Sequence, residues 1–239
     1  LQRPFSRSFP QVVFLTEADG QSSVDGVVYS WELVGRFRTD LRDFGWLGSG
    51  EFTPFLQAPQ ALRDDLRQRY TESTKTLVGL AWRSERDGKT VSNKTCDVRK
   101  VSQWTVFFEA LQKKVRFVSL QYGDTQTEID FVRWKYGVEI YQDRQINVFE
   151  DIDAAAAQVA AMDYVVSIST ATAHLAGALG IPGWVMLPDD AFPHWRAGKD
   201  ICPWYPTLRP VLQISTGDWG HVLDTVTKEL GEEIGISCR

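Results

Sequence analysis

Cysteine is scarce in this chain of 239 residues, and the scarcity restricts its chemistry. The three cysteines are Cys96, Cys202 and Cys238, an odd number at wide separations. Such spacing forms neither a disulfide framework nor a pair of thiolate metal ligands. We therefore expect no metal site, and a reducing, cytoplasmic compartment agrees with this cysteine content.

Long apolar runs and a strong charge of one sign are also missing. No apolar run reaches the ~18 residues that a membrane-spanning helix needs, so we expect no membrane span. The 26 basic and 31 acidic residues give a net charge of −5, and the basic residues form only short groups. Because a phosphate backbone requires a clustered basic face, we expect no nucleic-acid partner.

The organisation of the chain changes near residue 53. With 43% hydrophobic and 24% charged residues, the whole chain has the balance of a globular protein. Residues 1–53 contain polar, Gly-rich pieces around two short predicted strands at 12–15 and 27–29, and we interpret them as an amino-terminal extension or the remnant of a preceding domain. Residues 54–239 form a second unit. The chain begins at Leu1, which favours a fragment of a longer protein.

Strand and helix patterns alternate through the second unit. Buried-strand patterns separated by amphipathic helices predict a Rossmann-like, doubly wound parallel sheet of the α/β class. The predicted strands are 77–82, 116–120, 138–141, 163–168, 183–187 and 211–214. The predicted helices are 60–70, 103–113, 126–136, 153–162, 171–179 and 220–234.

The strand-to-helix connection at 167–174 is the first candidate ligand site, because ligands of such sheets bind at the carboxyl ends of the strands. Ser169 or Thr170 is placed to cap the helix, whose first amides and dipole favour an anion. Thr172 adds a hydroxyl, and His174 lies one turn further on. A capped helix without a ligand is the alternative.

Two further loops follow predicted strands. After the first strand, Arg83 is placed to clamp a diphosphate and Lys94 lies in the same polar, basic loop, although a solvated surface loop has the same composition. After the second strand, Gln121, Tyr122 and Gly123 offer a ring for stacking and a backbone for reading a base, or a plain turn.

A long loop after the fifth predicted strand contains two tryptophans. Long loops in compact domains are often functional, and aromatic faces stack on sugars and bases. Trp195 and Trp204 are therefore candidates for a base or sugar pocket. The alternative is that both rings only anchor the loop.

Taken in order, these motifs resemble a known family. The motifs are LVGLAWRS at 77–84, FVSLQYGD at 117–124, STATAHLAGALGIPGWVMLP at 169–188, WR at 195–196, PWYPT at 203–207 and GDW at 217–219. Over residues 54–230 the chain is similar to the carboxyl-terminal, donor-binding half of GT-B glycosyltransferases of the heptosyltransferase-like family 9 type. The variety it most resembles is often appended to tetratricopeptide-repeat proteins in bacteria.

The resemblance implies that residues 54–239 bind a nucleotide-diphosphate sugar and serve an inverting transfer, without a metal ion or other cofactor, to an unknown acceptor. It places Arg83, Lys94, Ser169, Thr170, Thr172 and His174 around the diphosphate. It places the loop of Gln121, Tyr122 and Gly123 near the base. Because such enzymes generally take the catalytic base from their amino-terminal half, the catalytic residues of this chain are unknown, and a preceding or repeat domain is an expected partner.

Two alternatives remain open from the sequence. The family usually has Asp at the position of Ser169, which favours a non-catalytic binding or interaction module on the same fold. A nucleotide-sugar epimerase is the other alternative, and it requires an acid or base on this half of the enzyme.

Overall fold

The computed structural model describes residues 2–14, 30–38, 40, 43–44, 50–71, 75–86, 89–148, 150–196 and 202–236. Its strands are β1 (Thr76–Ala81), β2 (Glu85–Arg86), β3 (Lys89–Thr90), β4 (Val115–Ser119), β5 (Ile140–Tyr141), β6 (Tyr164–Ile168), β7 (Gly183–Leu187) and β8 (Leu208–Leu212). Its α-helices are α1 (Gln2–Ser8), α2 (Ser30–Phe37), α3 (Gln60–Tyr70), α4 (Trp104–Leu111), α5 (Gln126–Tyr136), α6 (Ile152–Ala160), α7 (Ala171–Ala178), α8 (Pro193–Arg196) and α9 (Trp219–Glu233).

Six strands form one parallel sheet in the order β5-β4-β1-β6-β7-β8, and β2 and β3 form a separate antiparallel hairpin. Starting at β1, the chain builds one side of the sheet through β4 and β5. It then crosses back to β6 and builds the other side through β7 and β8. This is the doubly wound α/β fold predicted from the alternating pattern, and the prediction is confirmed.

Apolar side chains bury both faces of the sheet, as a parallel sheet requires. On one face the aromatic side chains of Trp104, Phe107 and Phe108 from α4 pack with residues of α5 and α9. On the other face, α3, α6 and α7 contribute residues such as Leu66 and the alanines of α6. The small alanines let α6 lie close to α3 and α7.

The predicted boundaries differ most at β8, which begins at Leu208, earlier than the predicted 211. Arg209 and Pro210 conceal the first half of this strand from a hydrophobicity pattern. Both are tolerated because β8 lies at the edge of the sheet, where a missing amide donor and an exposed charge cost little. The hairpin β2–β3 and the helix α8 were predicted only as loops.

The amino-terminal segment contains helices where strands were predicted. Val12, Val13 and Phe14 form no strand, so that prediction is wrong, and 27–29 lies outside the described residues. Helix α1 instead contacts α6, where Arg7 makes a two-bond ion pair with Asp153 at 3.0 and 2.9 Å. The extension therefore contacts the sheet domain through charge as well as packing. None of the described helices has the length and apolar character that crossing a membrane requires.

Candidate functional site

The sheet reverses its winding between β1 and β6, which lie side by side. The loops that follow these two strands run in opposite directions and leave a crevice between them. In doubly wound sheets this switch point is where ligands bind. The loops after β1 and β6 are two of those predicted from the sequence to hold a ligand.

A cavity of about 630 Å³ lies at this crevice. Three of its walls are formed by residues that follow β1, β4 and β6. The fourth wall is formed by residues just before α6 and within it. We call this space the cavity. It is lined by Ser84, Glu85, Leu120, Tyr122, Val148, Ile152, Ala155, Gln158, Val159, Ser169, Thr170, Ala171, Thr172 and Leu175. Hydroxyls gather at one end, near α7, and aliphatic side chains cover much of the rest.

Helix α7 begins in the wall of the cavity with its amino terminus uncapped by any side chain. Thr170 occupies the capping position in an extended conformation, and its hydroxyl makes no capping hydrogen bond, contrary to prediction. Ser169 does not cap either, since its Oγ accepts a hydrogen bond of 2.9 Å from Trp195 Nε1. The amide of Ala173 donates to the carbonyl of Thr170 at 3.0 Å, so the amides of Ala171 and Thr172, which start the helix, are the ones suited to a group in the cavity.

Arg83 is buried, does not line the cavity and is already paired with carboxylates. Its Nε lies 2.7 Å from Glu128 Oε1, and its Nη1 contacts Glu85. Its Nη2 donates to the carbonyl of Asp124 at 2.9 Å. A diphosphate that took the guanidinium from these partners would leave Glu128, itself buried, without its cation. The predicted clamp on a diphosphate stays a prediction.

The loop after β4 has two different roles within its three predicted residues. Gln121 is buried, and its side chain binds the end of β1. Its Oε1 accepts hydrogen bonds from the backbone amides of Trp82 and Arg83 at 2.9 and 2.8 Å. Tyr122 lines the cavity, and its hydroxyl accepts a hydrogen bond of 2.6 Å from the amide of Glu85. Gly123 has a φ of +78°, a backbone conformation that residues other than glycine rarely adopt.

The other flank of α7 carries a group of rings in mutual contact, hereafter the aromatic cluster: His174, Phe192, His194, Trp195 and Tyr205. His174 Nδ1 and the Tyr205 hydroxyl are 3.0 Å apart, and the His174 and Trp195 ring centres are 4.8 Å apart. Neither His174 nor the fully buried Trp195 lines the cavity. A side chain at Gly177 would overlap the ring of Tyr205, so this glycine lets the ring lie against α7.

Burial keeps the titratable side chains of the aromatic cluster in their uncharged forms. Loss of solvent lowers the pKa of His174 from its ordinary value to about 4, and nearby His194 lowers it further. Burial also lowers the pKa of His194 and raises the pKa of Tyr205 to about 12. The cluster is therefore uncharged near neutral pH.

The two remaining predicted residues lie apart from the cavity lining. Lys94 places its ammonium 4.6 Å from the ring centre of Phe192, at the edge of the aromatic cluster. Trp204 packs edge-on against Phe44 with ring centres 4.9 Å apart. The structure thus brings Tyr122, Ser169, Thr170 and Thr172 together around one cavity, and the other predicted residues do not line it.

Sequence reasoning missed Glu85 and the contribution of α6. The available signal in α6 was the spacing of Ile152, Ala155 and Val159, which places them on one face of a helix, with Gln158 as a buried polar residue among alanines. That face fits core packing equally well, so only the tertiary structure distinguishes it. Within the described residues, no group of His, Cys, Asp or Glu is placed to hold a metal ion.

No family profile matches the chain. FlbA of Caulobacter vibrioides is 40% identical over 116 residues, which are 48% of this chain and 19% of FlbA. The chain thus spans about a fifth of that curated relative.

Solved structures establish the fold. The ADP-heptose lipopolysaccharide heptosyltransferase II of E. coli superposes over 77% of this chain and 55% of its own, with a TM-score of 0.54 and 13% identity. A family 9 glycosyl transferase of Veillonella parvula aligns over 77% of this chain and 46% of its own, with a TM-score of 0.49 and 10% identity. The superposition on heptosyltransferase II shows that the chain has the GT-B glycosyltransferase fold, as the ordered motifs predicted.

Proposed function

We propose that the cavity binds a nucleotide-diphosphate sugar and that the chain is the donor-binding half of a glycosyltransferase. One observation carries the proposal: the uncapped amino terminus of α7 opens into a cavity at the switch point of a GT-B sheet. Helix amides that have no side-chain cap suit the oxygens of a diphosphate. The volume of about 630 Å³ lies within the range of small-molecule sites.

The chemistry at this site is stabilisation of a leaving group. In an inverting transfer, an acceptor hydroxyl attacks the anomeric carbon from the side opposite the diphosphate. The bond from that carbon to the diphosphate oxygen breaks, and negative charge grows on the oxygen. The dipole of α7 and its first amides face that charge without any metal ion, which is the usual role of a preorganised anion site.

Two parts of the cavity lining suit two chemically different parts of the ligand. Ser169, Thr170 and Thr172 surround the end at α7 and suit the diphosphate. Tyr122 and the aliphatic face of α6 line the rest of the cavity and suit a flat base, which an apolar wall and a ring both favour. We assign no catalytic base to this chain, because a GT-B enzyme generally takes it from its amino-terminal half.

A further domain belongs to this proposal. The chain spans about half the length of the solved structures it resembles and a fifth of FlbA. We propose that an amino-terminal or repeat domain, as in the tetratricopeptide-repeat variety, binds the unknown acceptor above the carboxyl ends of the strands.

A non-catalytic binding module is the second candidate, and the pairing of Arg83 favours it. Its guanidinium is committed to Glu85 and Glu128, and Ser169 Oγ is engaged by Trp195. Such a module retains the fold and uses the surface for protein interaction.

A thermal-shift screen against UDP, GDP, ADP, TDP, CMP and their common sugar conjugates tests the proposal, since a ligand that binds only the folded state raises Tm. The sharp variant is Ala171→Asp, which places a carboxylate at the start of α7 and in the lining of the cavity. An acidic residue at a helix start is neutral or stabilising, by about 0.3–1 kcal/mol, so folding is retained while the diphosphate is repelled.

Ala61→Asp is the matched control, because Ala61 is an exposed residue in the first turn of α3 and lies outside the cavity lining. We expect a Tm shift with one nucleotide for the wild type and the control, and none for Ala171→Asp. If the wild type shows no shift with any nucleotide, the non-catalytic module replaces the enzyme. If Ala171→Asp binds as the wild type does, the ligand lies elsewhere.

A further inference from the structure

Glu85 is the only charged side chain among the described residues that line the cavity. A carboxylate repels a diphosphate, so its position requires an explanation if the cavity holds such a ligand. Its side chain is 26% exposed, and its counter-ion Arg83 does not line the cavity.

Three neighbours hold this carboxylate in place. Arg83 pairs with Glu85 Oε1 while also pairing with Glu128. The amide of Glu85 donates to the hydroxyl of Tyr122 at 2.6 Å, which ties the first residue of the hairpin to the cavity wall. Gly123 leaves the space beside it, because a side chain there would place its Cβ 3.3 Å from Glu85 Oε2.

The pairing also determines what Glu85 can bind. Two carboxylates share one guanidinium, so the group of Arg83, Glu85 and Glu128 has one negative charge in excess. Oxygens of a charged carboxylate accept hydrogen bonds from neutral donors, and a carboxylate with fixed geometry is suited to a pair of hydroxyls. The hydroxyl-rich parts of a nucleotide-diphosphate sugar are its ribose and its transferred sugar.

We propose that Glu85 is a specificity-determining residue that accepts hydrogen bonds from hydroxyls of a sugar ring of the donor. The inference rests on the proposed function. Arg83 is then a positioning residue, which holds the Glu85 carboxylate toward the cavity and does not itself contact the diphosphate.

The experiment compares the wild type with Glu85→Gln by calorimetry against four groups of probes. The probes are ADP, GDP, UDP and CDP, their 2′-deoxy forms, their glucose conjugates, and inorganic pyrophosphate. Glu109→Gln on the exposed side of α4 is the matched control. Glu85→Asp is a second variant, because it keeps the charge beside Arg83 but withdraws it from the cavity by one methylene.

We expect Kd to rise about tenfold in both Glu85 variants for ligands that present the contacted hydroxyls, the loss typical of one hydrogen bond to a charged group. If the contact is to ribose, the nucleoside diphosphates weaken, and their 2′-deoxy forms, which keep only the 3′-hydroxyl, are less sensitive to the substitution. If it is to the transferred sugar, only the glucose conjugates weaken. Pyrophosphate binding should stay equal or tighten in Glu85→Gln, because a negative charge is removed.

An equal loss for pyrophosphate and for the sugar-bearing ligands would overturn the proposal, since it would mean that Glu85 only organises Arg83. Unchanged Kd values for every ligand with a hydroxyl would overturn it as well, and would leave the proposed function intact. If the wild type binds none of the probes, both proposals fail together.

Discussion

The two flanks of α7 differ in how their polar groups are satisfied. On the cavity flank, the start of the helix has no side-chain cap and lies beside the hydroxyls and aliphatic side chains of the cavity. On the flank of the aromatic cluster, rings fill the space and the polar atoms of His174 and Tyr205 pair with each other. One flank is arranged to receive a group from outside, whereas the other holds the loop after β7 against the helix.

The comparison predicts a separation of effects. Substitutions in the aromatic cluster should change the free energy of unfolding and leave the ligand affinity of folded molecules largely unaltered. Substitutions in the cavity should change the ligand affinity, also where they cost some stability. Ser169 joins the two flanks, because it lines the cavity and accepts the hydrogen bond from Trp195.

Trp195→Ala should give the largest effect. Removing a fully buried tryptophan costs about 3–5 kcal/mol of unfolding free energy, through lost burial and the remaining void. Chemical denaturation measures the loss, and Trp134→Ala is the matched control, because Trp134 is 78% exposed. A large increase in the Kd of folded Trp195→Ala for a nucleotide diphosphate would contradict the separation of the two effects. It would indicate that Trp195 contributes to the ligand site.

Acidification should give the next largest effect, through His174. Its folded-state pKa of about 4 lies below its ordinary value of 6.5, so the unfolded state binds the proton more readily. Stability from this group is complete above pH ~6.5 and declines as pH falls toward ~4, by about 3 kcal/mol in total. His194, whose pKa burial also lowers, acts in the same direction.

Denaturation curves between pH 7 and pH 4 check this expectation. The slope should be shallower in His174→Gln than in the wild type. It should be unchanged in His221→Gln, since His221 is exposed and burial is the main cause of the shift at His174. Equal slopes in all three proteins would contradict a partly buried, neutral His174.

A matched pair of tyrosines gives the smallest and sharpest test. Tyr205→Phe removes the contact with His174, and Tyr122→Phe removes the hydrogen bond from the amide of Glu85. Each should cost about 1 kcal/mol of stability, the usual value of one hydrogen bond. Only Tyr122→Phe should also alter the Kd for a nucleotide diphosphate. A change in Kd with Tyr205→Phe alone would reverse the assignment of the two flanks.

Local patterns sufficed for much of the fold. The helices at Gln60–Tyr70 and Gln126–Tyr136 and the strand at Gly183–Leu187 have the predicted bounds, because periodicity and flanking glycine or proline signals act over a few residues. The strand at Leu208–Leu212 was predicted too late in the chain, because Arg209 and Pro210 interrupt its apolar pattern. The structure tolerates both residues because the strand lies at the edge of the sheet. Helix Pro193–Arg196 was missed because one turn carries little periodic signal.

The site was predictable only in part. Tyr122, Ser169, Thr170 and Thr172 could be found because each follows a strand whose carboxyl end meets the others at one edge of the sheet. The positions of Arg83 and His174 follow from partners distant in the chain, Glu128 and Tyr205. No local pattern reports those partners.

The sequence by itself determined the fold class, the order of the elements and the loops that gather at the switch point, since hydrophobic period and capping signals are local. Only the tertiary structure decided which side chains face the cavity and which are already paired. That choice depends on contacts between segments far apart in the chain, such as the Arg83–Glu128 ion pair and the Trp195–Ser169 hydrogen bond. Those contacts form only when the sheet brings its loops together.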